Sequence, residues 1–147
     1  MSIVQPLLPG ARVLDLFAGS GALGLEALSR GAASADFVED SAPVLRALRN
    51  NLSALGAADR ARVHRSDALR FVRALDPSGD AGWFDIAFAD PPYGRGLAAN
   101  VAEAWVVEPF AAVLGIEHTA ADAMPAGGET RRYGTTALTF YKAESSR

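Results

Sequence analysis

A buried strand that runs into a glycine-rich turn constrains the fold of this chain more than any other feature. The strand is predicted over residues 11–17, and the five positions 13–17 read Val-Leu-Asp-Leu-Phe, which is apolar at all but one of them. Three glycines follow in the order Gly-x-Gly-x-x-Gly, at Gly19, Gly21 and Gly24, and a helical pattern begins among them. Such a turn lets the backbone approach a nucleotide closely, but the glycine spacing alone is a weak signal.

Strands and helices alternate along the rest of the chain. Apolar runs predict further strands at 34–39, 60–64, 84–89, 113–118 and 136–142, and helical spacing predicts helices at 22–30, 41–55 and 68–75. This alternation implies right-handed crossovers and a largely parallel sheet with helices on both faces. The sequence therefore predicts the α/β class.

The flanking regions are less regular. Two helical pieces are predicted between Gly96 and Ala112, with a break near Pro109, and residues 119–130 are expected to form a small, polar loop. This loop has no room for a long helix, so the final strand is expected to run antiparallel to its neighbour. Residues 1–10 hold two prolines and a glycine and are expected to be a lead-in without regular structure.

Four acidic residues lie at or near the ends of predicted strands. Asp15, Glu39, Asp67 and Asp90 would therefore meet at the carboxyl edge of the sheet, where folds of this kind bind their ligands. Glu39 lies about twenty residues beyond the glycines, at the place of an acid that accepts hydrogen bonds from ribose hydroxyls. The coincidence of four strand ends with four acids is the main structural reason to predict a nucleoside site.

Three of these acids also have a structural alternative. Glu39 could cap the following helix together with Asp40 and Ser41, and Asp67 could be an ordinary helix N-cap. In a ligand site, Asp67 would accept a bond from an adenine amino group while the backbone of Ala68 reads the adjoining ring nitrogen. Asp15 could hold a cationic amino group of the ligand or order the glycine turn.

The motif Asp90-Pro91-Pro92-Tyr93 directly follows the fourth predicted strand. Its prolines fix the backbone, so that the Asp90 carboxylate and a main-chain carbonyl can converge on one point. Two acceptors suit an exocyclic NH2 group, which donates two hydrogens, and Tyr93 offers a flat face on which a base can stack. A proline-rich turn capped by Asp90 is the structural alternative, but the position of the acid at the ligand edge favours chemistry.

These stretches resemble class I S-adenosylmethionine-dependent methyltransferases, and among them the bacterial 16S ribosomal RNA (guanine(966)-N2)-methyltransferases. The resemblance lies in residues 14–31, 90–93 and 131–141, and it covers most of 10–142. It implies a Rossmann-like, mostly parallel sheet in the order 3-2-1-4-5-7-6, with strand 7 antiparallel. It also implies methyl transfer from S-adenosyl-L-methionine to the exocyclic N2 amino group of a guanine in 16S ribosomal RNA.

The motifs and the resemblance together predict a set of site residues. The residues expected to take part in catalysis are Asp90, Pro91, Pro92 and Tyr93. Cofactor contacts are expected from the glycine turn and from three strand ends, at Asp15, Phe17, Gly19, Ser20, Gly21, Glu39, Asp40, Asp67 and Ala68. No metal is expected, and no covalent cysteine adduct is needed, in agreement with the lack of cysteine in the chain.

Length and charge bound the organisation and the partners. With 147 residues and no apolar run long enough to span a bilayer, the chain is expected to be a single cytoplasmic methyltransferase domain over 1–147. The family's basic N-terminal segment is expected to be missing, because only residues 1–10 precede the first strand. The expected partner is 16S ribosomal RNA or the assembling small ribosomal subunit, without a membrane.

The net charge of −3 does not by itself favour binding to nucleic acid. Basic contacts would therefore be local, and the candidate positions are Arg46 and Arg49, the arginines of 60–73, and Arg131 with Arg132. RNA affinity of the chain alone is expected to be low and strongly dependent on salt.

Two other functions stay open from the sequence. A nicotinamide-dependent oxidoreductase can use the same glycine pattern, although no Tyr/Lys pair has a convincing spacing for hydride transfer. A non-catalytic module that binds S-adenosylmethionine or RNA is the other alternative.

Overall fold

The computed structural model describes residues 4–144, which form one sheet covered by helices on both faces. The strands are β1 (Arg12–Leu16), β2 (Ser34–Glu39), β3 (Ala61–Arg65), β4 (Phe84–Ala89), β5 (Ala111–Thr119), β6 (Glu129–Tyr133) and β7 (Thr136–Lys142). The helices are α1 (Ala22–Ser29), α2 (Ala42–Ala54), α3 (Ala68–Ala74) and α4 (Leu97–Val107).

The strand order is β3-β2-β1-β4-β5-β7-β6, as the family resemblance implied. The first five of these strands pair in parallel, and β7 runs antiparallel to both β5 and β6. The chain first builds outward from β1 through β2 to β3, and then crosses back to β4 on the other side of β1. This reversal leaves a crevice beyond the carboxyl ends of β1 and β4, the usual ligand position in an open parallel sheet.

Each face of the sheet carries its own apolar layer. On one face, Phe37 and Phe88 pack with Leu48, under α1 and α2. On the other face, Leu14 packs with Trp105, under α3 and α4. Full burial of one such side chain stabilises the fold by about 1.5–3 kcal/mol, so the two layers hold the strand ends in fixed positions.

The region after β4 differs from the sequence prediction. A single helix, α4, replaces the two helical pieces predicted between Gly96 and Ala112. It ends at Val107, and Glu108 is already extended with φ −145° and ψ 94°. Proline disfavours helical geometry in the residue before it, so Pro109 terminates the helix instead of breaking it in two.

Strand β6 was not predicted from the apolar pattern, which indicated a loop over 119–130. In the structure β5 extends to Thr119 and β6 begins at Glu129, so both ends of that loop belong to strands. All of β6 is exposed, and its sequence Glu-Thr-Arg-Arg-Tyr has no apolar alternation. Hydrogen bonding to β7 alone makes it a strand, at a charged sheet edge of the kind that resists aggregation.

The N-terminal lead-in is packed against the sheet where it is described. A single 3-10 turn forms at Gln5–Leu7, and Val4 and Leu8 on either side of it are buried. The expectation of a lead-in without regular structure is therefore wrong for this part, while the first three residues lie outside those described. Within 4–144, no helix is long and apolar enough to cross a membrane.

Candidate active site

A cleft of about 630 Å³ opens at the carboxyl edge of the sheet, above the crevice between β1 and β4. It collects most of the predicted site residues from the loops that follow β1, β2, β3 and β4. The predicted residues that line it are Phe17, Glu39, Asp40, Asp67, Ala68, Asp90, Pro91, Pro92 and Tyr93. Residues at several separate strand ends therefore meet in one concave site, of a size that suits a small-molecule ligand.

Glu39 organises the turn beside this cleft. Its Oε1 accepts a hydrogen bond from the Gly19 N–H at 2.9 Å, and its Oε2 accepts bonds from the N–H groups of Asp40 and Ser41, each at 2.9 Å. The same carboxylate therefore joins the glycine turn to the start of α2. Ser41 is the N-cap residue of α2, and its side chain makes no capping bond; its own N–H is held by Glu39.

The capping alternative for Glu39 is thus present in the structure, and it is compatible with ligand binding. Oε1, which accepts the Gly19 bond, can accept a second hydrogen bond, and Glu39 is only partly buried at the wall of the cleft. Its role toward a ribose remains a prediction.

The three glycines of the turn are needed for different reasons. A Cβ at Gly21 would lie 2.3 Å from Leu48 Cδ1 of α2, and a Cβ at Gly24 would lie 2.3 Å from Phe37 Cε1 of β2, so Gly21 allows a close approach to α2 and Gly24 allows α1 to pack closely on the sheet. A Cβ at Gly19 would meet nothing within 4 Å, and its φ is +58°. Only the first glycine therefore borders open space that a ligand could use.

Phe17 has a φ of +58°, although it is not a glycine. Such a conformation is strained for a bulky side chain and is often found at functional sites. It turns the chain sharply at the end of β1 and leaves the Phe17 ring at the cleft wall. Ser20, by contrast, is exposed and does not line the cleft, and its carbonyl accepts a bond from Asn51 Nδ2 at 3.0 Å.

Asp15 lies beneath the turn and not in the cleft. It is 2 % exposed, and its Oδ2 accepts a hydrogen bond from the Gly24 N–H at 3.0 Å. Burial raises the pKa of the Asp15 carboxyl to about 7; the Gly24 bond lowers it, and the nearby carboxylates of Asp90 and Glu39 raise it. The observed contact is the one expected of an acid that orders the glycine turn, and a direct contact with a cofactor stays a prediction.

Asp67 is the N-cap of α3, where its Oδ2 accepts a bond from the Arg70 N–H at 2.9 Å. The structural alternative for this acid is therefore present as well. Asp67 is nevertheless exposed at the cleft, and the neighbouring Ala68 also lines it. Both residues remain available to a planar ring bound between β2 and β3.

The Asp90-Pro91-Pro92-Tyr93 motif forms the wall at the end of β4. Pro91 is buried and anchors the segment, whereas Asp90 is exposed and Tyr93 is 52 % exposed. A buried anchor next to two exposed groups of different chemistry is suited to binding a polar, flat molecule. Arg95 continues the same wall just before α4.

Two residues at this edge were not predicted. Arg95 lines the cleft, and Glu117 near the end of β5 lies beside Asp90. Glu117 could have been found with the rule that identified the other acids, since it lies in the predicted strand 113–118, near its end. Residues 4–144 contain no group of three or more histidine, cysteine, aspartate or glutamate side chains arranged to hold a metal ion.

Comparisons with known proteins agree with this fold and site. The chain is 33 % identical to YlbH of Bacillus subtilis (strain 168) over 152 residues, which cover 96 % of this chain and 80 % of YlbH. It is 45 % identical to the ribosomal RNA small subunit methyltransferase D of Escherichia coli (strain K12) over 94 residues, 64 % of this chain and 44 % of that protein. In this second match, the chain spans less than half the length of its relative.

A solved structure is similar over nearly the whole chain. The structure of yhhF from Escherichia coli superposes with a TM-score of 0.82 at 35 % identity and covers 99 % of this chain and 82 % of that one. The family described as "Conserved hypothetical protein 95" matches residues 1–142. The resemblance to ribosomal RNA methyltransferases is thereby confirmed, and the chain belongs to the family "Conserved hypothetical protein 95".

Proposed function

We propose that this chain is a cytoplasmic enzyme that transfers a methyl group from S-adenosylmethionine to the exocyclic N2 amino group of a guanine in 16S ribosomal RNA. A single observation carries the proposal. The acid and tyrosine of the Asp90–Tyr93 motif line the same cleft as Glu39 and Asp67, on the opposite side of the crevice. The name of the Escherichia coli relative, a small subunit ribosomal RNA methyltransferase, supports the substrate class.

The donor set of the cleft fits S-adenosylmethionine. Glu39 and Asp67 offer acceptors for ribose hydroxyls and for an adenine amino group, and Phe17 and Ala68 offer apolar contact to a purine. The open space beside Gly19 fits the amino-acid end of the cofactor. When bound, S-adenosylmethionine supplies an activated methyl group on its sulfonium sulfur.

Asp90 and Pro91 would orient the target nitrogen. The N2 lone pair of guanine is delocalised into the ring, which makes this nitrogen a poor nucleophile until its hydrogens are held. The Asp90 carboxylate and the Pro91 carbonyl accept those two hydrogens and direct the lone pair toward the methyl group. Asp90 then accepts the proton that N2 loses once an N2–CH3 bond has replaced the S–CH3 bond.

Tyr93 would hold the base itself. A target base inside an RNA helix cannot reach the methyl group, so it must leave the stack. The exposed ring of Tyr93 provides a surface for the displaced base, and such stacking contributes about 1–3 kcal/mol per base. Most of the acceleration then comes from alignment of the reacting atoms.

The test is methyl transfer from labelled S-adenosylmethionine to 30S subunits or to protein-free 16S RNA, followed by mapping of the modified nucleotide. We expect Asp90→Ala to lower turnover by about 100-fold or more, the size of loss expected when reacting groups are misaligned. Cofactor affinity, measured by calorimetry, is expected to stay nearly unchanged. Tyr93→Ala is expected to raise KM for RNA more than Tyr93→Phe does.

The control is Asp59→Ala, which removes an exposed carboxylate before β3 at the opposite edge of the sheet. Near-normal turnover of Asp90→Ala would contradict the assignment of that residue. Binding of NADH without binding of S-adenosylmethionine would instead favour the oxidoreductase. Cofactor binding without any methyl transfer would favour the non-catalytic module.

A further inference from the structure

A second, smaller cavity adjoins the cleft at Asp90. It has a volume of about 260 Å³, and Asp90 is the residue that lines both spaces. Its walls are otherwise apolar except for one side chain, Glu117; the apolar residues are Val4, Leu23, Phe88, Ala89, Gly115, Leu138 and Phe140. A small apolar cavity with two convergent carboxyl groups has the composition of a site for a flat, hydrogen-bonding molecule.

The sheet register holds the two carboxyl groups side by side. Ala89 on β4 is paired with Ile116 on β5, so that Asp90 and Glu117 follow at neighbouring positions of adjacent parallel strands. The two carboxyl groups lie close enough for a hydrogen bond between them. Because a carboxylate can only accept, one of the two must carry a proton while this bond exists.

The surroundings favour this shared proton. The hydrogen bond to Asp90, partial burial and the negative charge of Asp90 together raise the pKa of Glu117 to about 7. Leu138 of β7 lies opposite Glu117 on its other side, and Arg131 of β6 follows in the same row, with its guanidinium 3.6 Å from Glu129. Asp90 is thus the titratable group that Glu117 faces among the residues lining the cavity.

We propose that Glu117 recognises the N1–H of the target guanine, next to the amino group held by Asp90, and thereby selects guanine over other bases. This inference rests on the proposed function and deepens it. Guanine has two adjacent donors on this edge, N1–H and N2–H, which two adjacent carboxylates can accept. Adenine and cytosine instead have an unprotonated ring nitrogen beside the amino group, which would face the Glu117 carboxylate without a hydrogen.

Base binding then has a defined proton balance. In the free enzyme one proton lies between Asp90 and Glu117. When guanine binds, its N1–H and one N2–H donate to the two carboxylates, and the shared proton leaves to water. Guanine selection is therefore expected to strengthen as the pH rises through about 7, since the Glu117 carboxylate can only accept, whereas protonated Glu117 can also donate to an unprotonated ring nitrogen.

The test compares guanine with 2-aminopurine at the methylated position of 16S RNA assembled into 30S subunits. Both bases have a 2-amino group, but N1 of 2-aminopurine carries no hydrogen. For the unaltered full chain, we expect kcat/KM to favour guanine by about 10- to 100-fold at pH 8.5, and by less at pH 6, where protonated Glu117 can donate to N1 of 2-aminopurine. A ratio of the two substrates cancels any pH effect on the methyl-transfer step that both share.

Glu117→Gln and Glu117→Leu are the informative variants. Glutamine can donate or accept at any pH. For Glu117→Gln we therefore expect a guanine preference about tenfold or more below that of the unaltered chain at pH 8.5, with the same value at pH 6 as at pH 8.5. Leucine is expected to abolish most of the preference as well. The matched control is Glu108→Gln, an exposed glutamate just before β5, at the opposite end of that strand.

The possible failures are distinguishable. Guanine methylation by the unaltered chain with a preference that neither variant changes would overturn this inference alone, because Glu117 would then act only on the position of Asp90 or on stability. A preference that rises as the pH falls would also overturn it. No guanine methylation by the unaltered chain would overturn the proposed function together with this inference.

Discussion

At the scale of single residues, the buried carboxyl of Asp15 is expected to set part of the pH dependence of folding. Its pKa is about 7 in the folded chain and 3.8 as an ordinary carboxyl, so the folded state holds a proton that the unfolded state releases. The free energy of unfolding should therefore decrease as the pH rises from about 4 to about 7 and then level off. Each unit of pKa shift corresponds to about 1.4 kcal/mol.

Asp15→Asn tests this prediction, because asparagine keeps an acceptor for the Gly24 N–H and cannot become charged. We expect a flatter pH dependence between pH 4 and 7 and higher stability at pH 8, measured by urea unfolding. Some slope should remain, since the pKa of Glu117 is also raised to about 7. Asp59→Asn, at an exposed position, is the control, and equal slopes for Asp15→Asn and the unaltered chain would count against the prediction.

At the scale of elements, the contact between α1 and β2 determines where the glycine turn lies. A Cβ at Gly24 would come within 2.3 Å of the Phe37 ring, which is fully buried. Gly24→Ala is therefore expected to cost about 1–3 kcal/mol of stability by overpacking, despite the roughly 1 kcal/mol that alanine gains over glycine in a helix. Because α1 would shift away from the sheet, affinity for S-adenosylmethionine should fall too.

Urea unfolding and cofactor calorimetry measure the two effects. The double variant Gly24→Ala/Phe37→Leu should recover part of the stability, since a smaller side chain makes room for the added methyl group. Ser29→Ala, at an exposed position of α1, is the control for helix propensity. Stability of Gly24→Ala equal to or above that of the unaltered chain would show that the close approach is not limiting.

At the scale of the whole molecule, the negative net charge is expected to limit binding to RNA. With a net charge of −3, the chain is expected to bind RNA weakly and with strong salt dependence, through a few arginines near the cleft. Arg95 lines the cleft, whereas Arg62 lies on β3 near the amino edge of the sheet. Arg95→Ala should therefore lower the slope of log K against log salt by about 0.7–0.9, and Arg62→Ala should leave it unchanged.

Filter binding of 16S RNA over a series of salt concentrations measures both slopes. Tight binding of the chain that does not respond to salt would contradict this prediction. Equal decreases of this slope for Arg95→Ala and Arg62→Ala would mean that RNA contacts are spread over the surface and are not concentrated at the cleft.

Patterns between neighbours in the chain determined the class of fold and most of the candidate site. Apolar periodicity predicted β1, β2 and β4 to within a residue or so, because these strands are buried on both faces and their composition has to be apolar. The rule that parallel sheets bind ligands at carboxyl ends then brought Glu39, Asp67 and Asp90 to one edge. Nothing in that reasoning required knowledge of which strands are adjacent.

The parts of the fold and of the candidate site that were not predicted depended on contacts between residues far apart in sequence. Strand β6 exists because β7 offers it hydrogen bonds, so no periodicity of its own could reveal it. The Glu39 carboxylate binds Gly19 and the start of α2 at once, and the partnership of Asp90 with Glu117 follows from the pairing of β4 with β5. Local sequence therefore predicted most residues of the candidate site, while only the tertiary structure placed Glu117 beside Asp90, because that proximity depends on distances the chain order does not contain.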